Sequence, residues 1–131
     1  CIRDSVPAVD IERFAAARSL AESFAESSRL NTTIGAVLTD APLSKAQTKR
    51  LALAGHDGIA RAVRPAHSPL DGDTLFAASS GVRSAERGIG PAELASLSAA
   101  AADAVEAAIV DAVVSASPGL GLEAYSSLRA C

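Results

Sequence analysis

The chain has 131 residues, of which 49% are apolar and 21% are charged, a balance typical of one globular domain. Only 3% of the residues are aromatic, so we expect a core in which small-faced helices approach closely. The formal net charge of -3 argues against a phosphate-binding surface, and therefore against nucleic acid as a partner. No window approaches the roughly 18 consecutive apolar residues of a membrane span, and we expect a cytoplasmic protein without a membrane anchor.

The two cysteines, Cys1 and Cys131, are the terminal residues of the sequence. This placement predicts neither a disulfide framework nor a metal site, and we expect no metal and no cofactor. The sequence contains no methionine, so we expect a piece of a longer or processed protein.

The first predicted element is a helix that begins after Asp10, a suitable N-cap, and runs to about Ser28. Its apolar residues recur at helical spacing and predict a helix packed on the core. A strand then covers residues 32–39, where β-branched residues dominate and apolarity is almost unbroken, so we expect burial on both faces. The apolar helix positions are Ile11, Phe14, Ala15, Ala21, Phe24 and Ala25.

The second helix is predicted from a capping box, in which Ser44 caps the amide of Gln47 and the glutamine side chain reaches back. Gly55 and Gly58 fall inside this helix, which indicates a neighbour that packs close to its backbone. Arg64-Pro65 ends it, because the residue before proline is disfavoured in helical conformation.

A second buried strand is predicted over residues 73–79, and a long helix over residues 91–116. The tail, residues 120–131, is expected to be held to the body by Leu122, Tyr125 and Leu128. The order helix, strand, helix, strand, helix predicts a layered α/β fold. Two strands make only part of a sheet, so the missing strands are expected from another chain or from sequence outside this one.

Asn31-Thr32 lies directly before the first predicted strand and is the candidate self-cleavage site. A threonine hydroxyl needs a neighbouring base to act as a nucleophile, and the residue's own α-amine serves once the preceding peptide bond is cut. That amine has a pKa of roughly 7.7 to 8, which suits proton transfer near neutral pH. Two simpler interpretations stay open: a β-prone threonine at a strand start, and an N-glycosylation pattern, Asn31-Thr32-Thr33.

Asp71 and Asp73 are two residues apart, so in extended backbone their carboxylates point to one side. Such a pair could hold an ammonium group, orient a base or bind a hard cation, although the ligand register of a calcium loop is absent. Solvated acids of a turn are the alternative. A Ser-His-Asp site built on His56, Asp57 and His67 is disfavoured, because the first two are adjacent in a predicted helix and no G-x-S-x-G elbow is present.

Several segments, in order, resemble the self-processing L-aminopeptidase/D-esterase family, which includes the β-aminopeptidases and the hydrolases of nylon oligomers. The resemblance is dense over about residues 30–79 and looser beyond. The segments are Asn31-Thr32-Thr33-Ile34, Thr39-Asp40-Ala41, Leu43-Ser44-Lys45-Ala46-Gln47, Ala54-Gly55-His56-Asp57-Gly58-Ile59-Ala60-Arg61 and Arg64-Pro65-Ala66-His67-Ser68-Pro69-Leu70-Asp71-Gly72-Asp73-Thr74-Leu75-Phe76-Ala77.

The resemblance implies an N-terminal-nucleophile hydrolase of peptide or amide bonds, made as a precursor that cuts itself into an α part and a β part. Thr32 matches the nucleophile, Asn31 the residue left at the end of the α part, and Asp71 and Asp73 the acids that orient the new amine. Residues 1–31 would then be the tail of the α part and residues 32–131 the β part, within one structural domain. The implied fold is a four-layer αββα sandwich, of which this chain supplies a portion.

The α part of family members is far longer than the 31 residues that precede Thr32 here. The lysine, asparagine and tyrosine partners of the family site therefore have no counterpart in the sequence. We expect them from the remaining α part of the same precursor, in a homo-oligomer of αβ units. The alternatives are a catalytically silent structural or assembly protein with the same fold, and an acyltransferase related to ornithine acetyltransferase.

Overall fold

A computed structural model describes residues 9–25, 32–81 and 88–128, without the side chains of residues 21 and 23–25. The residues divide into two compact units, one of residues 1–29 with 109–131 and one of residues 30–108. In chain order the elements are helix α1 (Ile11–Ala25), strand β1 (Ile34–Thr39), helix α2 (Lys45–Ala62), strand β2 (Thr74–Ser79), helix α3 (Pro91–Ser115) and a 3-10 turn (Tyr125–Ser127).

The unit of residues 30–108 contains a β-α-β arrangement. Strands β1 and β2 pair in parallel, with Ile34 opposite Thr74 and Thr39 opposite Ser79. A parallel pair needs a crossover between its strands, and α2 provides it. The helix–strand order expected from the sequence is confirmed, and with it the mixed α/β class.

Helix α2 begins and ends where the sequence indicates. The Ser44 hydroxyl accepts a hydrogen bond from the Gln47 amide, and the Gln47 side chain accepts one from the Ser44 amide. This capping box satisfies donors that the first helical turn leaves without partners. The helix ends at Ala62, three residues before Pro65, in agreement with the predicted stop.

The core of this unit is formed where α2 meets the sheet and the first part of α3. Leu51 and Ile59 are fully buried, together with Ala101 and Ala102 on α3. A Cβ atom at Gly58 would collide with the backbone carbonyl oxygen of Ala102. The expectation that the glycines of α2 allow a neighbour to come close is therefore confirmed.

The sheet has one packed face and one exposed face. Residues that point towards α2 alternate with exposed ones along both strands. On the outer face Ile34 is 73% exposed, Leu38 76% and Phe76 61%. The predicted burial of the first strand on both faces is wrong for this chain, because α2 covers only one face of the sheet.

In the other unit, Asp10 caps α1 as predicted, since its carboxylate accepts hydrogen bonds from the amides of Glu12 and Arg13. The Asp10 amide donates to the carbonyl oxygen of Leu128, a residue that is buried. The tail is thus held through Leu128, one of its three predicted anchors, whereas Leu122 is exposed.

The prediction that α1 packs on the core is wrong for the described part of its apolar stripe. Ile11 is 80% exposed and Phe14 is also exposed. Helical spacing shows that apolar side chains share a face, and does not show that this chain covers it. The predicted end near Ser28 lies outside the described residues.

Candidate active site

Thr32 lies two residues before β1, and its side chain is exposed. Its hydroxyl lies against Gly72, where a Cβ atom would come within 2.7 Å of the Thr32 Oγ1 atom. The absence of a side chain at Gly72 therefore leaves the space that the Thr32 hydroxyl occupies.

The parallel register brings these two segments together. Because Ile34 pairs with Thr74, the residues just before each strand also meet. The Thr74 amide donates to the Thr33 carbonyl oxygen at 2.8 Å, which extends the ladder beyond Ile34. Thr32 and Gly72, forty positions apart in the sequence, thus become neighbours at the edge where both strands begin.

Asp73 is the acid that contacts the candidate nucleophile segment. Its Oδ1 atom accepts a hydrogen bond from the Thr33 amide at 3.0 Å. Its Oδ2 atom lies 2.9 Å from Nδ1 of His67, and only 9% of the Asp73 side chain is exposed. The carboxylate is therefore held from two sides, immediately beside the residue that follows Thr32.

The contacts of Asp73 favour its ionised form. Loss of water around the carboxyl acts to raise its pKa, but hydrogen bonds from the backbone and hydroxyl of Thr33, the charge of His67 and a backbone hydrogen bond from His67 together outweigh that effect. The pKa of Asp73 consequently lies below its ordinary value of 3.8. A negative charge is available here at neutral pH to hold a positive group.

Asp71 has a different partner. Its Oδ2 atom accepts a hydrogen bond from the Ser68 amide at 2.7 Å, and its own amide donates to the Ser68 carbonyl oxygen at 3.0 Å. These two bonds close a turn of the loop that leads to Gly72. Of the two predicted acids, Asp73 contacts the Thr32–Thr33 segment, whereas the described contacts of Asp71 shape the loop. Asn31 lies outside the described residues.

His67, which the sequence analysis named only for a disfavoured Ser-His-Asp site, contacts Asp73 here. In addition to Asp73, it contacts the backbone carbonyl oxygen of His56, 3.2 Å from its Nε2 atom. The two histidine rings lie 5.1 Å apart between centroids and are tilted by 55°. The loop spacing of His67 and Asp73 carries no recognisable pattern, so only the folded loop reveals the pair. His56 is a half-buried residue of α2.

A groove in this unit lies elsewhere. It has a volume of about 590 Å³ and runs between α2 and α3, where Arg50, Leu53 and Leu94 are among its lining residues. Thr32, Gly72 and Asp73 do not line it. We place the candidate site at the strand edge, because the candidate nucleophile Thr32 and the Asp73 carboxylate lie close together there.

Comparison with known proteins gives a consistent assignment. Residues 5–125 match Peptidase family S58. An uncharacterized aminopeptidase of Mycobacterium tuberculosis is 44% identical over an alignment of 107 residues that covers 75% of this chain and 31% of that protein. Another, of Mycobacterium leprae, is 41% identical over an alignment of 113 residues that covers 77% of this chain and 30% of that protein.

A further relative is the 6-aminohexanoate-oligomer endohydrolase of Paenarthrobacter ureafaciens, 40% identical over 47 residues, which are 36% of this chain and 13% of that protein. The chain thus spans about a third of the length of the mycobacterial relatives it matches. Because the family match covers nearly the whole chain, the chain belongs to Peptidase family S58.

Proposed function

We propose that this chain carries the nucleophile of a self-cleaving hydrolase of peptide or amide bonds, and that the cut falls between Asn31 and Thr32. The observation that supports this most directly is the meeting of Thr32, Gly72 and Asp73 at one edge of the sheet. Thr32 lies just before a paired strand, and the ionised Asp73 carboxylate binds the amide of the next residue, Thr33. A nucleophile in such a place has the fixed geometry that catalysis needs.

The self-cleavage step uses the Thr32 hydroxyl. Its Oγ1 atom adds to the carbonyl carbon of Asn31, and its proton passes to the Thr32 nitrogen as the peptide C–N bond breaks. The product is an ester between Asn31 and the Thr32 oxygen, with a free α-amine on Thr32. Water then hydrolyses the ester and leaves a carboxylate on Asn31 and a hydroxyl on Thr32. This sequence gives Thr32 the adjacent base that a threonine nucleophile requires.

In the mature enzyme the same hydroxyl attacks the substrate. The α-amine of Thr32 accepts the hydroxyl proton, an acyl ester forms on Oγ1, and the amine returns the proton to the leaving nitrogen. Water then releases the acyl group. Asp73 holds the amine near the reacting carbonyl, and Asp71 acts through the turn that it closes with Ser68.

The names of the relatives support peptide or amide substrates, since those proteins are called aminopeptidases and an oligomer endohydrolase. The exposed apolar face of the sheet supports the layered αββα sandwich. A second sheet, from the remaining α part, would cover Ile34, Leu38 and Phe76 and remove their apolar surface from water. We propose that this α part, in a homo-oligomer of αβ units, also completes the site.

The test compares Thr32→Ala, Thr32→Ser and Thr48→Ala in the full-length protein. We expect Thr32→Ala to abolish both self-cleavage and hydrolysis of amino-acid amides and 6-aminohexanoate oligomers, and Thr32→Ser to retain both. Thr48→Ala removes a hydroxyl that bonds to the Ser44 carbonyl on α2, and it serves as the matched control. Full hydrolysis by Thr32→Ala would contradict the proposal.

A second assay separates hydrolysis from acyl transfer. An amino-acid amine is added in increasing amounts, and the free acid and the acylated amine are both measured. We expect the free acid to dominate. An acylated amine as the main product would favour the acyltransferase, and an uncut chain without activity would favour a structural protein.

A further inference from the structure

His67 has a hydrogen-bond acceptor at each of its ring nitrogens. Nδ1 lies 2.9 Å from the Asp73 carboxylate and Nε2 lies 3.2 Å from the backbone carbonyl oxygen of His56. Neither acceptor can donate a hydrogen, since one is an ionised carboxylate and the other a peptide oxygen. The ring is therefore held at both nitrogens, by the carboxylate on one side and by the peptide oxygen on the other.

The groups around His67 come from two elements. Asp73, just before β2, supplies the negative charge, and α2 supplies the carbonyl oxygen and the ring of His56. His67 also has a φ of 57°, in the left-handed region that residues other than glycine seldom adopt. Such a conformation persists only where surrounding contacts impose it, and functional sites are where it concentrates.

We propose that His67 is a positioning residue that fixes the Asp73 carboxylate beside the Thr32 amine. With Oδ2 bound to His67 and Oδ1 bound to the Thr33 amide, the carboxylate cannot rotate away from the strand edge. The catalytic part of this inference rests on the proposed function of Thr32.

The contact between His67 and Asp73 is tested without any reaction. A double-mutant cycle with His67→Ala and Asp73→Asn in the full-length Thr32→Ala protein is measured by urea unfolding. We expect the two changes to be non-additive, since each removes one side of the same contact. Additive effects would overturn the proposal, whatever the role of Thr32.

The positioning role is tested by kinetics in the otherwise unchanged protein. We expect His67→Ala to lower kcat about tenfold with little change in KM, because a displaced acid weakens the chemical step more than binding. His67→Asn, which keeps a donor near the Nδ1 position, should recover part of the loss. Leu70→Ala changes an exposed residue of the same loop and serves as the control for loop destabilisation.

The outcomes separate the two claims. A wild-type kcat and pH profile in His67→Ala would overturn the positioning role, while the loss of activity in Thr32→Ala would still support the proposed function. Equal losses in His67→Ala and Leu70→Ala would also overturn it, since they would reflect the loop alone. Activity that survives Thr32→Ala contradicts the proposed function, and the double-mutant cycle then still decides whether His67 holds Asp73.

Discussion

At the scale of single residues, the candidate site depends on a carboxylate with two donors. Asp73 is largely buried, yet its hydrogen bonds with Thr33 and its ion pair with His67 favour the charged form. A buried acid with a lowered pKa is a stabilising group at neutral pH, because folding provides it with better partners than water does. The proposed function gives the same acid a role in orienting Thr32, so the Asp73 side chain would serve both the stability and the activity of the protein.

The contribution of Asp73 to stability should depend on pH in a defined direction. Its folded pKa lies below 3.8, so its contribution is fully present above that value and is lost as the pH falls through the folded pKa. We expect Asp73→Asn to lower the free energy of unfolding by about 1 to 3 kcal/mol at neutral pH, and by progressively less in acid.

Urea unfolding in a Thr32→Ala background measures this effect from neutral pH downward. Asp57→Asn, which changes an exposed acid on α2, is the control. A stability difference that does not change with pH would contradict the assigned role of the Asp73 charge.

A substitution at Gly72 should affect the rate of self-cleavage much more than the free energy of unfolding. A Cβ atom there would lie 2.7 Å from the Thr32 hydroxyl, which is exposed and can rotate away. We expect Gly72→Ala to change the free energy of unfolding by less than about 1 kcal/mol but to slow self-cleavage about a hundredfold, because the nucleophile is displaced.

The rate is followed by the appearance of the cleaved chains on a denaturing gel. Gly88→Ala is the matched control, since no atom lies within 4 Å of the added Cβ position. Normal cleavage in Gly72→Ala would show that the Thr32 hydroxyl does not need its observed position.

At the scale of elements, α2 connects the strands and supports the site. Its start is fixed by the capping box at Ser44, its middle by close packing against α3, and its end by an exposed ion pair between Arg61 and Asp103 at 2.6 Å. Exposed ion pairs contribute little to stability. The close packing at Gly58 should therefore contribute more to the free energy of unfolding than the ion pair of Arg61 does.

Gly58→Ala is a sharp test of that packing. Glycine to alanine in an exposed helix position stabilises a protein by up to about 1 kcal/mol. Here the added Cβ would meet the rigid backbone of Ala102, so we expect destabilisation of about 1 to 3 kcal/mol.

Gly55→Ala provides the comparison in the same helix. Its added Cβ would lie 2.9 Å from the end of the Leu75 side chain, which can adjust. Thermal unfolding should therefore rank Gly55→Ala above Gly58→Ala, and a stabilised Gly58→Ala variant would refute the packing at that point.

The elements were predictable where local chemistry specifies them. Ser44 with Gln47 begins α2 through bonds within four residues, and Pro91 begins α3 by its fixed backbone. The contact of His67 with Asp73 was not predictable, because it depends on a loop that turns through the left-handed backbone of His67. The position of Thr32 against Gly72 likewise depends on strand register, which single-strand patterns do not specify.

At the scale of the whole molecule, the apolar outer face of the sheet is the main feature that the described residues leave uncovered. The sequence predicted the apolar strands correctly, but it could not show which chain segment covers each face. The same reason explains α1, whose apolar residues Ile11 and Phe14 are exposed. In the described residues, no helix is long and apolar enough to cross a membrane. The assignment of residues 1–31 and 32–131 to α and β parts stays a prediction.

Phe76→Asp tests whether a second sheet covers this face. If the face is buried in the full-length protein, the new charge should lower the free energy of unfolding by at least about 2 kcal/mol. If it faces water, the change should stay within about 0.5 kcal/mol. Leu120→Asp replaces an apolar residue that is 98% exposed and serves as the control. Equal, small effects of both changes would contradict the sandwich.

The amino-terminal sequence of every polypeptide in the purified full-length protein, combined with intact mass, decides whether Thr32 is released by self-cleavage. We expect a chain that begins at Thr32 and a partner that ends at Asn31, and a single uncut chain in Thr32→Ala. A wild-type protein that hydrolyses amides while the bond between Asn31 and Thr32 remains intact would contradict this expectation.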